Sequence, residues 1–407
     1  MEQGKKWDLL SIASIPLIMT LGNSMLIPVL PAIRSKLAVS SFQVSLLITI
    51  YSAIAIVLIP LAGYLSDRIG RKKVIIPSLI ITGIGGLISG IAAWMIDQSY
   101  VVIMLGRLLQ GVGAAGAFPI VLPLVGDMFK EESEVSSSLG IVETANTFGK
   151  VLSPILGSAL ALVCWFLPFL SIPVFCLIST LLVAFLVKSP SKKEEEMIPF
   201  RTFLNHVKAI FQRSGRWLYG IFAIGGISMF VIFGTLFYLS DMLEDQYSIH
   251  GIVKGCVLAI PLAALCLASF ITGKIIGQNK RLMKWMTFGG MAIVTGSLVC
   301  CGLSHSLLVL IIWISFCGIG IGVALPCLDA MITEGIKKEE RGSITSIYSS
   351  MRFIGVAAGP PLASILVKKS PELMFYCLSG TCVIAAVLAL FAIRPSSNQP
   401  SASQNIR

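Results

Sequence analysis

The 407-residue chain is 56% hydrophobic and only 13% charged, with a net charge of +11. An ordinary soluble domain carries about a quarter charged residues on its solvated surface, so this balance excludes one and leaves a polytopic membrane protein. The basic excess reads as loops facing a membrane surface and gives no reason to expect a nucleic-acid partner.

Apolar windows long enough to cross a bilayer fall near 9–33, 44–65, 74–96, 100–126, 136–160 and 165–187, and again near 216–240, 250–272, 283–303, 305–330, 342–367 and 372–393. The expected fold is therefore an all-α membrane protein of twelve spans. It divides into a six-helix bundle over 1–187, a linker over 188–215, a second six-helix bundle over 216–393 and a tail over 394–407. Of the 31 Lys and Arg, only Arg34, Lys36, Lys254, Lys368 and Lys369 fall in the loops on one side, and Arg107, Lys150 and Arg352 fall within spans. The others lie on the opposite side with the termini. Positive loops stay cytoplasmic, so both ends of this multi-pass cell-membrane protein are expected inside. The ten cysteines sit in apolar runs without metal-ligand spacing, and neither disulfides nor a metal site is expected. His206, His250 and His305 lie in loops or at span edges, where a surface role is expected.

The first span opens on Lys5 and Lys6 like a signal peptide, but no small-residue cleavage site follows, so it is expected to be retained. Pro28 and Pro31 interrupt it. Its one strongly polar interior group is Asn23, which either faces a pore or bonds a neighbouring helix. After the second span comes GYLSDRIGRKK. Gly63 permits close helix approach, Gly70 a tight turn, and Asp67 with Arg68 and Arg71 supplies charges for a latch. This spacing resembles the signature between spans two and three of the major facilitator superfamily.

Span four reads MLGRLLQGVGAAGAFP. Arg107, Gln110 and Gly111 resemble that superfamily's span-four signature, and Arg107 is expected either to face a central cavity or to snorkel. The resemblance implies that Asp127, closing the span, joins Arg71 and Asp67 in an ion-pair relay in the outward-facing state. Span five places Glu143, Asn146, Thr147, Lys150, Pro154 and Gly157 on one helical stripe. An ionised group at the centre of a span costs roughly 2.5–3.5 kcal/mol, so that face is expected to avoid lipid. Glu143 and Lys150 are about 10 Å apart along the axis, too far to pair, and each is expected to find a partner on another helix. Gly140, Gly149, Pro154 and Gly157 match the antiporter signature of drug:proton exporters, with Ser153 and Ser158 replacing two of its glycines.

In the linker, Phe200, Phe203, Leu204, Val207 and Phe211 share one face opposite Arg201, Asn205 and Lys208, the pattern of a short helix on the membrane surface that tethers the halves. The second half repeats the first: GVGAAGAFP at 111–119 reappears as GIGIGVALP at 318–326, Asp127 and Lys130 as Glu334 and Lys337, Gly149 and Pro154 as Gly355 and Pro360. The loop signature is decayed there, with Gly277 in place of Asp67. Arg352 corresponds to Asn146 and is expected in the same cavity; Asp329 is either its partner or an interfacial carboxylate.

The resemblance spans the whole chain and implies a twelve-span, proton-coupled antiporter that exports drugs or a secreted metabolite such as a siderophore. Two pseudo-symmetric bundles rock about a midplane site. Glu143 is expected to carry the proton with Arg107 or Lys150 beside it, and Asn23, Gln110, Asn146, Arg352, Phe230 and Phe233 to line the cavity. The aromatic set of span seven, with Phe222 and Phe237, reads equally as packing or lipid-facing surface. Because span cations outnumber Glu143, neutral or anionic amphiphiles are expected over lipophilic cations. No cofactor is expected beyond the proton gradient; the partners are substrate, protons and lipid, and the chain is expected to act as a monomer. A nutrient-importing symporter is the alternative. No catalytic constellation or phosphate loop argues for an enzyme.

Overall fold

The structure is a computed structural model describing residues 3–128, 132–187, 200–277, 279–304, 306–336 and 338–393. Twelve helical segments are long and apolar enough to cross a membrane. The first is α1 (Gln3–Ser24) continued through a single 3-10 turn (Ile27–Val29) into α2 (Leu30–Leu37). Prolines impose the break: Pro28 and Pro31 sit at the starts of the turn and of α2, where their missing N–H groups are not needed. The next two spans are α3 (Ser41–Ile69), opened by a reciprocal Ser40–Gln43 capping box, and α4 (Arg71–Met95). Span four is also divided, into α5 (Tyr100–Ala117) and α6 (Val121–Met128), with Pro119 in the gap. Then come α7 (Glu132–Val163) and α8 (Leu167–Leu186).

In the second half α9 (Phe200–Asp245) joins the linker helix to span seven through a kink at Gly215, whose φ of 43° suits glycine. Residues 188–199 lie outside the described part, as do the side chains of Phe200, Phe203, Leu204 and Val207 on the expected linker face. Phe211, on the same face, packs against Tyr219 and Phe222 of span seven. There follow α10 (Gly251–Ile275), α11 (Lys280–Gly302), α12 (Leu307–Gly335), α13 (Lys338–Val367) and α14 (Pro371–Phe391). His305, Lys130 and Lys337 lie outside the described residues.

Packing makes the internal repeat physical. In the first half α4 packs on α5 and α8, α3 on α5, and α1 on α7; in the second, α11 packs on α12 and α14, α10 on α12, and α9 on α13. These are the same four pairings moved on by six spans, so the two bundles are pseudo-symmetric. They meet along two seams, α3 against α13 and α7 against α10. The end of the molecule bearing both chain termini is called here the terminal face, and the opposite end the distal face.

The α3–α13 seam is closed from end to end: Thr49 Oγ1 donates to the Ala357 carbonyl at 2.7 Å, the Tyr51 and Phe353 rings lie 6.3 Å apart, and Gly63 packs on Ser346. Along α7–α10, Gly255 lies against the Pro154 carbonyl, and a Cβ there would stand 2.9 Å from Ile155 Cα and Ser158 Cβ. Only glycine allows that approach.

A charged cavity between the halves

The stripe on α7 faces inward as its spacing requires. Asn146 and Thr147 are buried and Lys150 nearly so, while Phe148 on the other side is 54% exposed. Glu143 Oε1 accepts from Asn146 Nδ2 at 3.1 Å, and Asn146 Oδ1 accepts from Thr20 of α1 at 2.5 Å. Across the seam, Arg352 of α13 lies 3.8 Å from Asp329 of α12. Of the two readings of Asp329, the structure selects the partner of Arg352. The Tyr348 hydroxyl faces this pair. Glu143, Lys150, Asp329 and Arg352 all lie within electrostatic reach of one another.

The expectation that Glu143 and Lys150 each pair directly with another helix is corrected. Glu143 hydrogen-bonds its own helix, and Lys150 has no ion pair or hydrogen bond among the described residues. Its side chain instead lines a narrow cavity with Pro154, Ser24 and Ile27 from the first half and Met229, Ile232, Phe233 and Leu236 of α9 from the second; α10 closes the remaining side. Phe233 is thus on the cavity wall. Phe222 and Phe237 are buried in the packing between spans, and Phe230, expected on the cavity wall, is partly buried and not among its lining residues.

Arg107 is not part of this site, contrary to its expected place beside Glu143. It is fully buried in the first bundle. Its Nε donates to the Leu47 carbonyl at 2.9 Å, Nη2 to Asn23 Oδ1 at 2.6 Å and Nη1 to Gln110 Oε1 and the Gly22 carbonyl, with the Tyr51 ring 4.5 Å below the guanidinium. Asn23 and Gln110, expected on the cavity wall, are instead buried partners of Arg107. The reason is satisfaction: four acceptors from three helices replace the hydration that a buried guanidinium loses. Tyr51 carries the network to the seam, where it meets Phe353 beside Arg352.

At the terminal face Arg71 bonds Asp67 at 2.6 Å, Asp127 at 3.1 Å and Ser66 at 2.7 Å, all within the first bundle. Gly70, with φ 102°, makes the turn that brings α4 back under α3. Arg68 beside them is exposed. On α7, Gly149 packs on Leu17 of α1 and Gly157 on Met25 just past its end, whereas a side chain at Gly140 would meet nothing within 4 Å among the described residues. Tight packing of the antiporter stretch is therefore confined to its distal two-thirds.

A family model described as Major Facilitator Superfamily matches residues 12–355, with a second match over 283–406. The chain belongs to the Major Facilitator Superfamily. Among curated relatives of this transporter, a bacillibactin exporter of Bacillus subtilis (strain 168) is 52% identical over 387 residues, 95% of this chain and 96% of that one. Multidrug resistance protein 2 of the same organism is 26% identical over 85% of each chain. A solved bacterial homologue of the human lysosomal transporter Spinster, inward-facing and unoccupied, superposes with a TM-score of 0.79 at 16% identity, covering 96% of this chain and 97% of that one, a likeness of fold.

The facilitator's distal face holds a group that the sequence reading missed. Arg34 of α2 bonds Asp245 of α9 at 2.6 and 2.8 Å and Asp241 at 3.4 Å, and Ser240 donates to the Ile27 carbonyl at 2.9 Å. Lys254, counted above as a loop residue, is inside α10, 1% exposed, and bonds Glu244 at 2.7 Å. The clue was present: DMLED at 241–245 ends a span with three carboxylates, opposite Arg34 and Lys254 in the sparse basic set of that side. His250 is exposed, 4.0 Å from Glu244.

Proposed function

We propose that this chain is a proton-coupled antiporter exporting small amphiphilic organic compounds, neutral or anionic, with both termini cytoplasmic and the distal face outside. Export is supported by the 52% identical bacillibactin exporter and by the multidrug efflux relatives, which speak against the importing symporter. A siderophore or a related phenolic or catecholic metabolite is the cargo this reading favours. The observation that carries the substrate class is Lys150, a cation without a direct partner among the described residues, on the wall of an otherwise apolar cavity between the halves. An apolar wall takes the ring system, and the ammonium takes the anionic or hydroxyl end. One chain supplies the whole cavity, so a monomer suffices.

Glu143 is the proton carrier in this reading. It sits about two turns from Lys150 toward the terminal face, in electrostatic reach of Arg352 and Asp329 across the seam. Rocking of the bundles changes which of these charges lie closest to the carboxyl. Anion bound at Lys150 and proton bound at Glu143 then exclude each other, which is the coupling. One proton entering yields about 1.4 kcal/mol per pH unit and about 2.3 kcal/mol per 100 mV.

Uptake into inside-out vesicles tests the assignment of Lys150. Lys150→Met is expected to weaken transport of an anionic catechol roughly ten- to hundredfold, the loss of one charged hydrogen bond, while a neutral amphiphile of similar size is spared and Lys150→Arg restores the anion. Equal loss of both substrates would remove the charge argument.

A further inference from the structure

The cluster at the distal face joins the two halves and does not balance. Arg34 comes from α2 in the first bundle, and Lys254 from α10; Asp241, Glu244 and Asp245 come from α9. These are three carboxylates against two cations. The pairing is one to one for two of the carboxylates: Asp245 takes Arg34 through both its oxygens, and Glu244 takes the buried ammonium of Lys254. Asp241 is left over. Its Oδ2 reaches Arg34 only at 3.4 Å, and its Oδ1 is fully buried with no hydrogen-bond donor among the described residues. The charged groups acting on it are those four; among the described residues α12, α13 and α14, which also pack on α9, bring no charge to it, and His250 lies 4.0 Å from Glu244.

We propose that Asp241 is the acid that makes closure of the distal face proton-linked: closing buries a surplus carboxylate, and that carboxylate takes up one proton as the face shuts. A largely buried carboxylate with one oxygen lacking a donor and the other held only by a long bond is expensive, and a neutral acid is far less so. With the proton on Asp241, the remaining ions pair two and two. On opening, Arg34 withdraws with the first bundle, Asp241 is hydrated and the proton leaves to the distal solution. By linkage the state that binds the proton is favoured as pH falls. Low pH at the distal side therefore favours the closed face, and high pH the open one. In a carrier driven by protons from that side, this biases the return stroke away from the acidic compartment, separately from Glu143.

The test is the separation of spin labels on Ser35→Cys and Gln246→Cys, exposed positions on opposite halves of the distal rim, in a transport-competent background without other cysteines. As pH is raised, the long-distance population is expected to grow in the parent protein. Asp241→Asn, which mimics the protonated acid, is expected to remain closed across the range, and Asp241→Glu to restore the response. Glu143→Gln is expected to keep it, so that failure here and failure of the proton-carrier assignment are told apart. A parent protein that opens as pH falls or does not respond, or an Asp241→Asn variant that still responds, would overturn the proposal.

Discussion

Arg107 and Glu143 are both charges inside spans, and sequence alone gives no reason to treat them differently. What separates them is the acceptor set. Arg107 is bonded by the carbonyls of Gly22 and Leu47 as well as by Asn23 and Gln110, and backbone carbonyls leave no trace in residue type. Arg107→Ala is therefore expected to act on stability, at roughly 1–3 kcal/mol for each buried acceptor left without a donor. The check is thermal unfolding in detergent, where Glu143→Gln, which gives up only a half-buried hydrogen bond to Asn146, is expected to sit within about 1 kcal/mol of the parent. An Arg107→Ala protein as stable as the parent would mean that the network is not structural. Glu143, Asn146 and Lys150, by contrast, were legible because three polar types at helical spacing in an apolar run admit few other readings.

At the scale of helices, the seams are the moving parts, and glycine spacing marks where they are tight. Gly255 lies against the Pro154 carbonyl, whereas Gly140 has open space around it. Gly255→Val is expected to force α10 off α7 at the distal end, at a cost of about 1–3 kcal/mol, and so to shift the protein toward the distal-open state. Labelling of Ser24→Cys on the cavity wall by a membrane-impermeant maleimide from the distal side is expected to speed up, while Gly140→Val leaves it unchanged. The latch at Arg71 bonds only first-bundle residues among its described partners, and it is formed here while the distal face is shut. The sequence resemblance had placed that relay in the outward-facing state; in the structure it tethers α3, α4 and α6 to one another. The breaks at residues 25–29 and 118–120 follow from proline chemistry, yet hydropathy alone reads through both.

For the molecule as a whole, twelve spans and the two-fold repeat could be read from apolar run lengths and from GVGAAGAFP returning as GIGIGVALP, because span length and small-residue packing are written locally. Which helices of one half touch the other is not written locally, and so the Asp329–Arg352 pair and the distal group around Arg34 emerged only from the assembled bundles. Together these contacts place Lys150, which has no direct partner among the described residues, and an apolar wall in one chamber with Glu143 within electrostatic reach, closed on its distal side by ions that cross between halves. The function proposed above makes cargo and proton compete for this chamber. Reconstituted vesicles with an imposed pH gradient measure this most directly, comparing the parent protein with Glu143→Gln for net uphill movement of an anionic catechol and for exchange of labelled against unlabelled catechol at equal pH. Glu143→Gln is expected to lose the gradient-driven movement and retain the exchange; gradient-driven movement at the parent rate would contradict the account.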